Sequence, residues 1–139
     1  MYSIILHATD LRENHFDICK RAAALAHGFH AKLHLIHVIE PPPSLQLAQG
    51  LGFAEIAAPY KEGAETVMRT LGDALKIPVE QQHVEVGSIK QHILDEIERL
   101  AAELVIIGKH TPNAFPSFLG STAHAIVHHA KCDVLTLEI

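Results

Sequence analysis

The residues best placed to do chemistry lie between Leu104 and Ala125, in the run LVIIGKHTPNAFPSFLGSTAHA. Leu104–Ile107 reads as a buried strand, Gly108 as a turn, and Gly120, Ser121 and Thr122 as the opening of a helix. A strand that feeds a helix N-terminus leaves several amide N–H groups unpaired. It also aims the positive end of the helix dipole at one point, where an anion can sit. Gly120 would let a phosphate approach the backbone, and Ser121 or Thr122 could donate a hydroxyl to it or cap the helix. Capping is the ordinary use of such a triplet, so the pattern admits a phosphate site without demanding one.

The other chemistry-bearing residues are the 12 histidines and two cysteines. His124 and His128 share a face of the predicted last helix at the spacing of paired zinc ligands, which makes a metal-binding module built on that His-rich helix one alternative function. No glutamate follows the first histidine and no third ligand is assignable, so no metal ligand is assigned. His7, His34 and His37 fall in strands and read as hydrogen-bonded packing residues. So many imidazoles would also let the net charge respond between about pH 5 and 8. Cys19 and Cys132 have neither metal nor redox spacing and read as small core residues. Lys109 and His110 could meet phosphate charge, although an exposed basic pair needs no ligand. No Gly-x-Ser-x-Gly elbow, paired carboxylates or acceptor aspartate after the third strand is present, and no catalytic residue is assigned.

These groups must be positioned by a domain spanning residues 1–139. Apolar residues make up 48% of it and aromatics 5%, so the core is aliphatic, as suits helices packed on a parallel sheet. The formal charge of −5 with scattered Lys and Arg argues against a nucleic-acid partner. The start MYSIILHATD has no basic leader, and no apolar run approaches the ~20 residues of a membrane span, so a soluble cytoplasmic protein is expected.

Strands are predicted at Tyr2–Ala8, Ala31–Val38, Val79–Val86, Leu104–Ile107 and Val134–Ile139. The first and fourth are continuously apolar and belong in the middle of a sheet, whereas the Glu- and Gln-rich third belongs at an edge. Ile5, Ile36, Val105 and Ile107 should be buried. Helices are predicted after Asp10 or Asn14, with Phe16, Cys19, Ala23 and Ala26 at helical spacing up to Gly28. A second carries Tyr60, Ala64, Val67, Met68, Leu71 and Leu75, weakened by Gly63 and Gly72 at roughly 1 kcal/mol each. A third has Ser88 and Gln91 as a capping box and Ile89, Ile93, Ile97 and Leu100 as its buried stripe. Ser44–Ala58, interrupted by Gly50 and Gly52, reads as a flap with one short helical turn at most. The alternation of strand and helix implies an α/β, doubly wound parallel sheet with helices on both faces. Ligands in such sheets sit beyond the carboxyl ends of the strands, where Asp10, Val38 and Gly108 all stand.

Across its length the chain resembles the universal stress protein family, through IILHATD, LHLIHVIEP, VEVGSIKQHIL and LVIIGKHT with LGSTAHAIVHHAKCDVLTLEI. The resemblance implies the strand order 3-2-1-4-5 and a homodimer made through the last strand. It also implies that members with a Gly-x-x-Gly-x9-Gly-Ser/Thr run bind ATP. By similarity, Asp10 and Val38 would contact the adenosine, and Gly108, Gly120, Ser121 and Thr122 the ribose and phosphates. ATP or AMP is the implied ligand, with Mg only where a triphosphate is bound. Here Thr111 replaces the second glycine, eight residues separate it from Gly120, and Pro112 and Pro116 stiffen the loop. Weaker binding than in members with the full run is therefore expected.

The function expected is that of a non-catalytic regulatory or stress-response protein with an unknown regulatory partner. The enzyme alternative is a weak ATPase or adenylate-processing activity at the same loop. Independently of the resemblance, Val134–Ile139 offers an apolar edge that invites a second copy, and Leu137→Asp is the change expected to split such a dimer.

Overall fold

The computed structural model describes residues 1–11, 15–41, 52–109 and 120–138. Among them the elements run β1 (Ile4–Ala8), α1 (His15–Gly28), β2 (Lys32–Ile39), α2 (Phe53–Leu75), β3 (Gln82–Val86), α3 (Ile89–Leu100), β4 (Leu104–Lys109), α4 (Ser121–His129) and β5 (Asp133–Glu138). The strands form one parallel sheet in the order β3-β2-β1-β4-β5, as expected. Parallel neighbours cannot be joined by a hairpin, so each connection carries a helix across a face. α1 and α2 cover one face, where Ile5, Leu35 and Ile106 pack with Ile18, Ala22 and Met68. α3 and α4 cover the other, where Leu6, Ile36, Val105 and Ile107 pack with Ile93, Ile97 and Ile126. Ile5 and Leu6, adjacent in sequence, thus serve opposite cores, and both are 0% exposed. Two covered faces are why the central strands lack alternation.

Several element boundaries differ from the sequence reading. β4 runs through Gly108 to Lys109 instead of turning at Gly108, because β5 pairs along it as far as Lys109↔Glu138. Val79–Gln81 form a short 3-10 turn, held by Gln81 Nε2 donating to the Leu33 carbonyl at 2.6 Å, and β3 starts only at Gln82. In α1 the buried residues are His15, Ile18, Cys19, Ala22 and Ala26, so the helix is rotated from the expected face and Phe16 is exposed. Ser88 Oγ accepts from the Gln91 amide at 3.3 Å, but the Gln91 side chain donates forward to Asp95, which leaves half a capping box.

The largest departure is α2. It begins at Phe53, so the expected flap is helical from there on, and the rest of that stretch up to residue 51 lies outside the described residues. Gly52 at φ 85° supplies a left-handed turn into the helix, and Pro59 is accommodated within it. Met68 is buried, with Ala64, Leu71 and Leu75 packed beside it, whereas Ile56, Tyr60 and Val67 are exposed.

The two glycines of α2 have opposite roles. A Cβ on Gly63 would meet nothing within 4 Å, while one on Gly72 would stand 2.0 Å from Gln82 Nε2 and 2.9 Å from the Ile77 carbonyl oxygen. Gly63→Ala should therefore stabilise the fold by roughly 1 kcal/mol through helix propensity. Gly72→Ala should destabilise it by about 1–3 kcal/mol through overpacking against β3. Urea denaturation of the two variants measures both. The sequence reading had treated the pair as equivalent; the difference lies in the helix-to-strand contact.

Candidate functional site

The sheet order reverses between β1 and β4: the chain steps from β1 to β2 on one side and later returns to β4 on the other. A crevice opens at the carboxyl ends of such a pair. Ala8 is the register partner of both Ile36 and Ile107, and the Thr9 amide donates to the Ile36 carbonyl at 2.9 Å. Continuing that register brings Asp10, Val38 and Gly108 to the same end of three adjacent strands. β5 is again parallel to β4, so α4 must run back down the sheet and its N-terminus lies at this same end. The sequence-predicted site residues thus fall on one side of the molecule. Residues 110–119, which include Thr111, Pro112 and Pro116, lie outside the described residues.

Gly120 is the N-cap of α4, with φ −61° and ψ 159°, and among the described residues no side chain caps the helix. Ser121 and Thr122 are its first two residues, so neither is the cap. That backbone conformation is open to any residue, and a Cβ on Gly120 would meet nothing within 4 Å among the described residues. Nothing among the described residues requires a glycine at this position.

Asp10 is five residues ahead of α1 and does not occupy its cap position; Asn14, the residue before the helix, lies outside the described residues. The Asp10 carboxylate instead stands 3.2 Å from His15 Nε2. Thr9 Oγ1 lies 2.9 Å from His15 Nδ1 and accepts from the Leu11 amide at 3.1 Å. Leu11 itself is left-handed, at φ 60°. A non-glycine residue held there costs roughly 1–2 kcal/mol, so the turn at the mouth of the crevice is strained and pinned by the Thr9 hydroxyl. His37 Nδ1 donates to the Thr9 carbonyl at 2.8 Å, tying β2 to the same turn.

Three further features escaped the sequence reading. Thr9, Leu11, His15 and Phe16 face Thr66, Val67 and Thr70 of α2 across a cleft of about 390 Å³. His7, His15 and Cys19, all buried, bring one donor atom each within 4.8 Å of one another. The spacing was visible, since His7 and Thr9 share a strand face and His15 and Cys19 are one helical turn apart, but nothing in it said that the strand and the helix would meet. On the opposite face, His34 and His83 stack with ring centroids 5.3 Å apart, and His83 stands 3.6 Å from the buried Glu96. His124 and His128 do share a face of α4, with centroids 4.3 Å apart, and both are exposed. Among the described residues no third ligand accompanies them. Cys19 and Cys132 are both free thiols.

Residues 1–137 match the model of the universal stress protein family. The universal stress protein A homolog 1 of Coxiella burnetii (strain RSA 493 / Nine Mile phase I) is 33% identical over 141 residues, covering 98% of this chain and 96% of its own. Among solved structures, a hypothetical protein whose biochemical function was assigned from its structure superposes with a TM-score of 0.78 at 21% identity, over 100% of this chain and 97% of that one. A universal stress protein solved in complex with cAMP superposes with a TM-score of 0.66 at 21% identity, over 99% and 97%. The sheet order, the crevice at its reversal and a match along nearly the whole length agree: the chain belongs to the universal stress protein family.

Proposed function

We propose that this protein is a non-catalytic, cytoplasmic stress-response regulator that acts as a homodimer and takes an adenine nucleotide in the crevice between β1 and β4. The observation that carries the nucleotide reading is the N-terminus of α4, which points its amides to one end of the sheet. Among the described residues nothing stands within 4 Å of a Cβ on Gly120, at the end of the sheet where Asp10, Val38 and Gly108 converge. Phosphates would take the amides of Gly120, Ser121 and Thr122, with the helix dipole behind them. Adenine would lie toward Asp10 and Val38. The related structure holding cAMP supports a nucleotide of this class.

Calorimetry with ATP, ADP and AMP, with and without magnesium, tests the reading. Binding is expected in the micromolar range or weaker, because a loop one residue short shifts its amides, and a misfit of ~1 Å is a serious loss in such a site. Gly120→Val should abolish the heat by blocking phosphate approach. Heat that survives Gly120→Val would place the site elsewhere, and no heat in the wild type would remove the nucleotide from the proposal. ATP incubated with the protein should remain unconsumed.

The homodimer would form through the outer edge of β5, which pairs with β4 on one side only in the sheet order. An unpaired edge recruits a second copy about a two-fold axis. Light scattering at micromolar concentration should report a dimer.

A further inference from the structure

We propose that His7, His15 and Cys19 form a buried binding site for a thiophilic metal ion, with monovalent copper as the best match. The site lies beneath the turn at Thr9, between β1 and α1, and does not depend on the nucleotide reading. Its first support is the triad itself, three buried donors within 4.8 Å of one another. Its second is His7 Nε2, which is fully enclosed and has no hydrogen-bond partner among the described residues. A buried polar atom left unsatisfied costs about 1–3 kcal/mol, which a bound ion would recover.

The histidine tautomers suit ligation. His7 Nδ1 lies 2.9 Å from the Ile106 carbonyl oxygen, which can only accept, so the proton is on Nδ1 and the orphaned Nε2 carries the lone pair. His15 Nε2 faces the Asp10 carboxylate, which fixes that proton on Nε2 and leaves the lone pair on Nδ1, now receiving the Thr9 hydroxyl. A backbone carbonyl behind one histidine and a carboxylate behind the other are the outer partners that orient metal-bound imidazoles. On binding, the Thr9 hydroxyl gives up His15 Nδ1. It can turn to the Cys19 sulfur, which lies close enough to feel it. Thr9 and His15 also line the cleft between α1 and α2, which gives an ion a way in.

Donor count and charge select the ion. A thiolate with imidazoles favours soft first-row ions, and a structural zinc site, closed to water, wants four protein ligands where this buried cluster offers three. The Cys19 thiol releases one proton to solvent as the Cys–S–Cu bond forms, so a thiolate and a monovalent cation leave the interior neutral. A divalent ion would leave it charged.

The test uses untagged full-length protein stripped with chelator and titrated with Cu(I) under reducing conditions against a chromogenic Cu(I) chelator. One equivalent should bind. His7→Phe and Cys19→Ala should each weaken binding at least 100-fold, while the His124→Ala, His128→Ala double variant should bind like the wild type. Circular dichroism confirms that each variant is folded. Should Cys19→Ala fail to fold, X-ray absorption on the copper-loaded wild type decides, with one sulfur and two nitrogen neighbours expected. No bound copper in the wild type, a spectrum without sulfur, or loss of binding in the His124, His128 variant would overturn the proposal. Tighter binding of Zn(II) than of Cu(I) would overturn the choice of metal.

Discussion

Leu137→Asp should unfold the chain rather than release two folded monomers. Leu137 is only 7% exposed within a single copy, where it belongs to the core on the α1 and α2 face together with Ile5, Leu104 and Ile106. The sequence had marked it as a dimer contact because β5 alternates at a sheet edge; the structure spends that side chain on the monomer. Aspartate there loses the transfer energy of leucine and leaves a carboxylate without a partner in an aliphatic core. The combined cost is about 4–6 kcal/mol or more, a large part of the 5–15 kcal/mol typical of a folded domain. Urea denaturation should show the midpoint collapsing, and a variant that kept wild-type stability would show that Leu137 is not in the core. Thr136→Lys is the cleaner probe of the proposed dimer. Thr136 is half-buried, and lysine on an edge strand discourages pairing at little cost to the fold. Light scattering of that variant should report monomers.

Acidification should destabilise the metal-free protein well before its carboxylates titrate. His7 is completely buried, and that burial pushes its pKa down from 6.5 to about 4; the bond to the Ile106 carbonyl and the charge of Asp10 oppose the shift, and His15 adds to it. The folded state therefore binds fewer protons than the unfolded state between those two values. The sign follows: stability is fully present above pH 6.5, declines as the pH falls below it, and levels off once the pH is below about 4. The loss from His7 alone is about 3 kcal/mol. His34 and His83 are also pushed down, first by burial, and add to the same slope. His7→Phe should flatten the dependence between pH 6.5 and 4, measured as the urea midpoint at each pH. An unchanged slope would mean that another group carries it.

The sheet was legible because its causes are local. Apolar runs with little alternation, as in IILHA and LVII, read as strands covered on both faces, and the polar composition of the third strand reads as an edge. The stripe of α3 was equally plain, since Ile93 and Ile97 lie one turn apart and both are buried. What sequence could not supply were facts decided between elements. The burial of His15 and the exposure of Phe16 depend on where α1 docks. Gly50, Gly52 and Pro59 argue against a helix by propensity, and yet α2 starts at Phe53, because the packing of Met68 and its neighbours fixes the axis that the first turns extend. That Asp10, Val38 and Gly108 stand at one end of the sheet followed from topology. The His7, His15 and Cys19 cluster was not, because neither a strand histidine nor a helix cysteine announces a partner.

The same β1 to β4 pairing that opens the crevice also sets the order in which the chain can fold. His37 reaches the Thr9 carbonyl across 28 positions of sequence, so β2 can dock on β1 early. His7 and Ile106 are 99 positions apart, and until they meet β1 has one bare edge in the middle of the eventual sheet. Closing the longer loop costs about 1 kcal/mol more in chain entropy than the shorter one. Contacts of such long separation slow the approach to the native state. The crevice is therefore assembled in the last part of folding, by the joining of two half-sheets across the β1 to β4 seam.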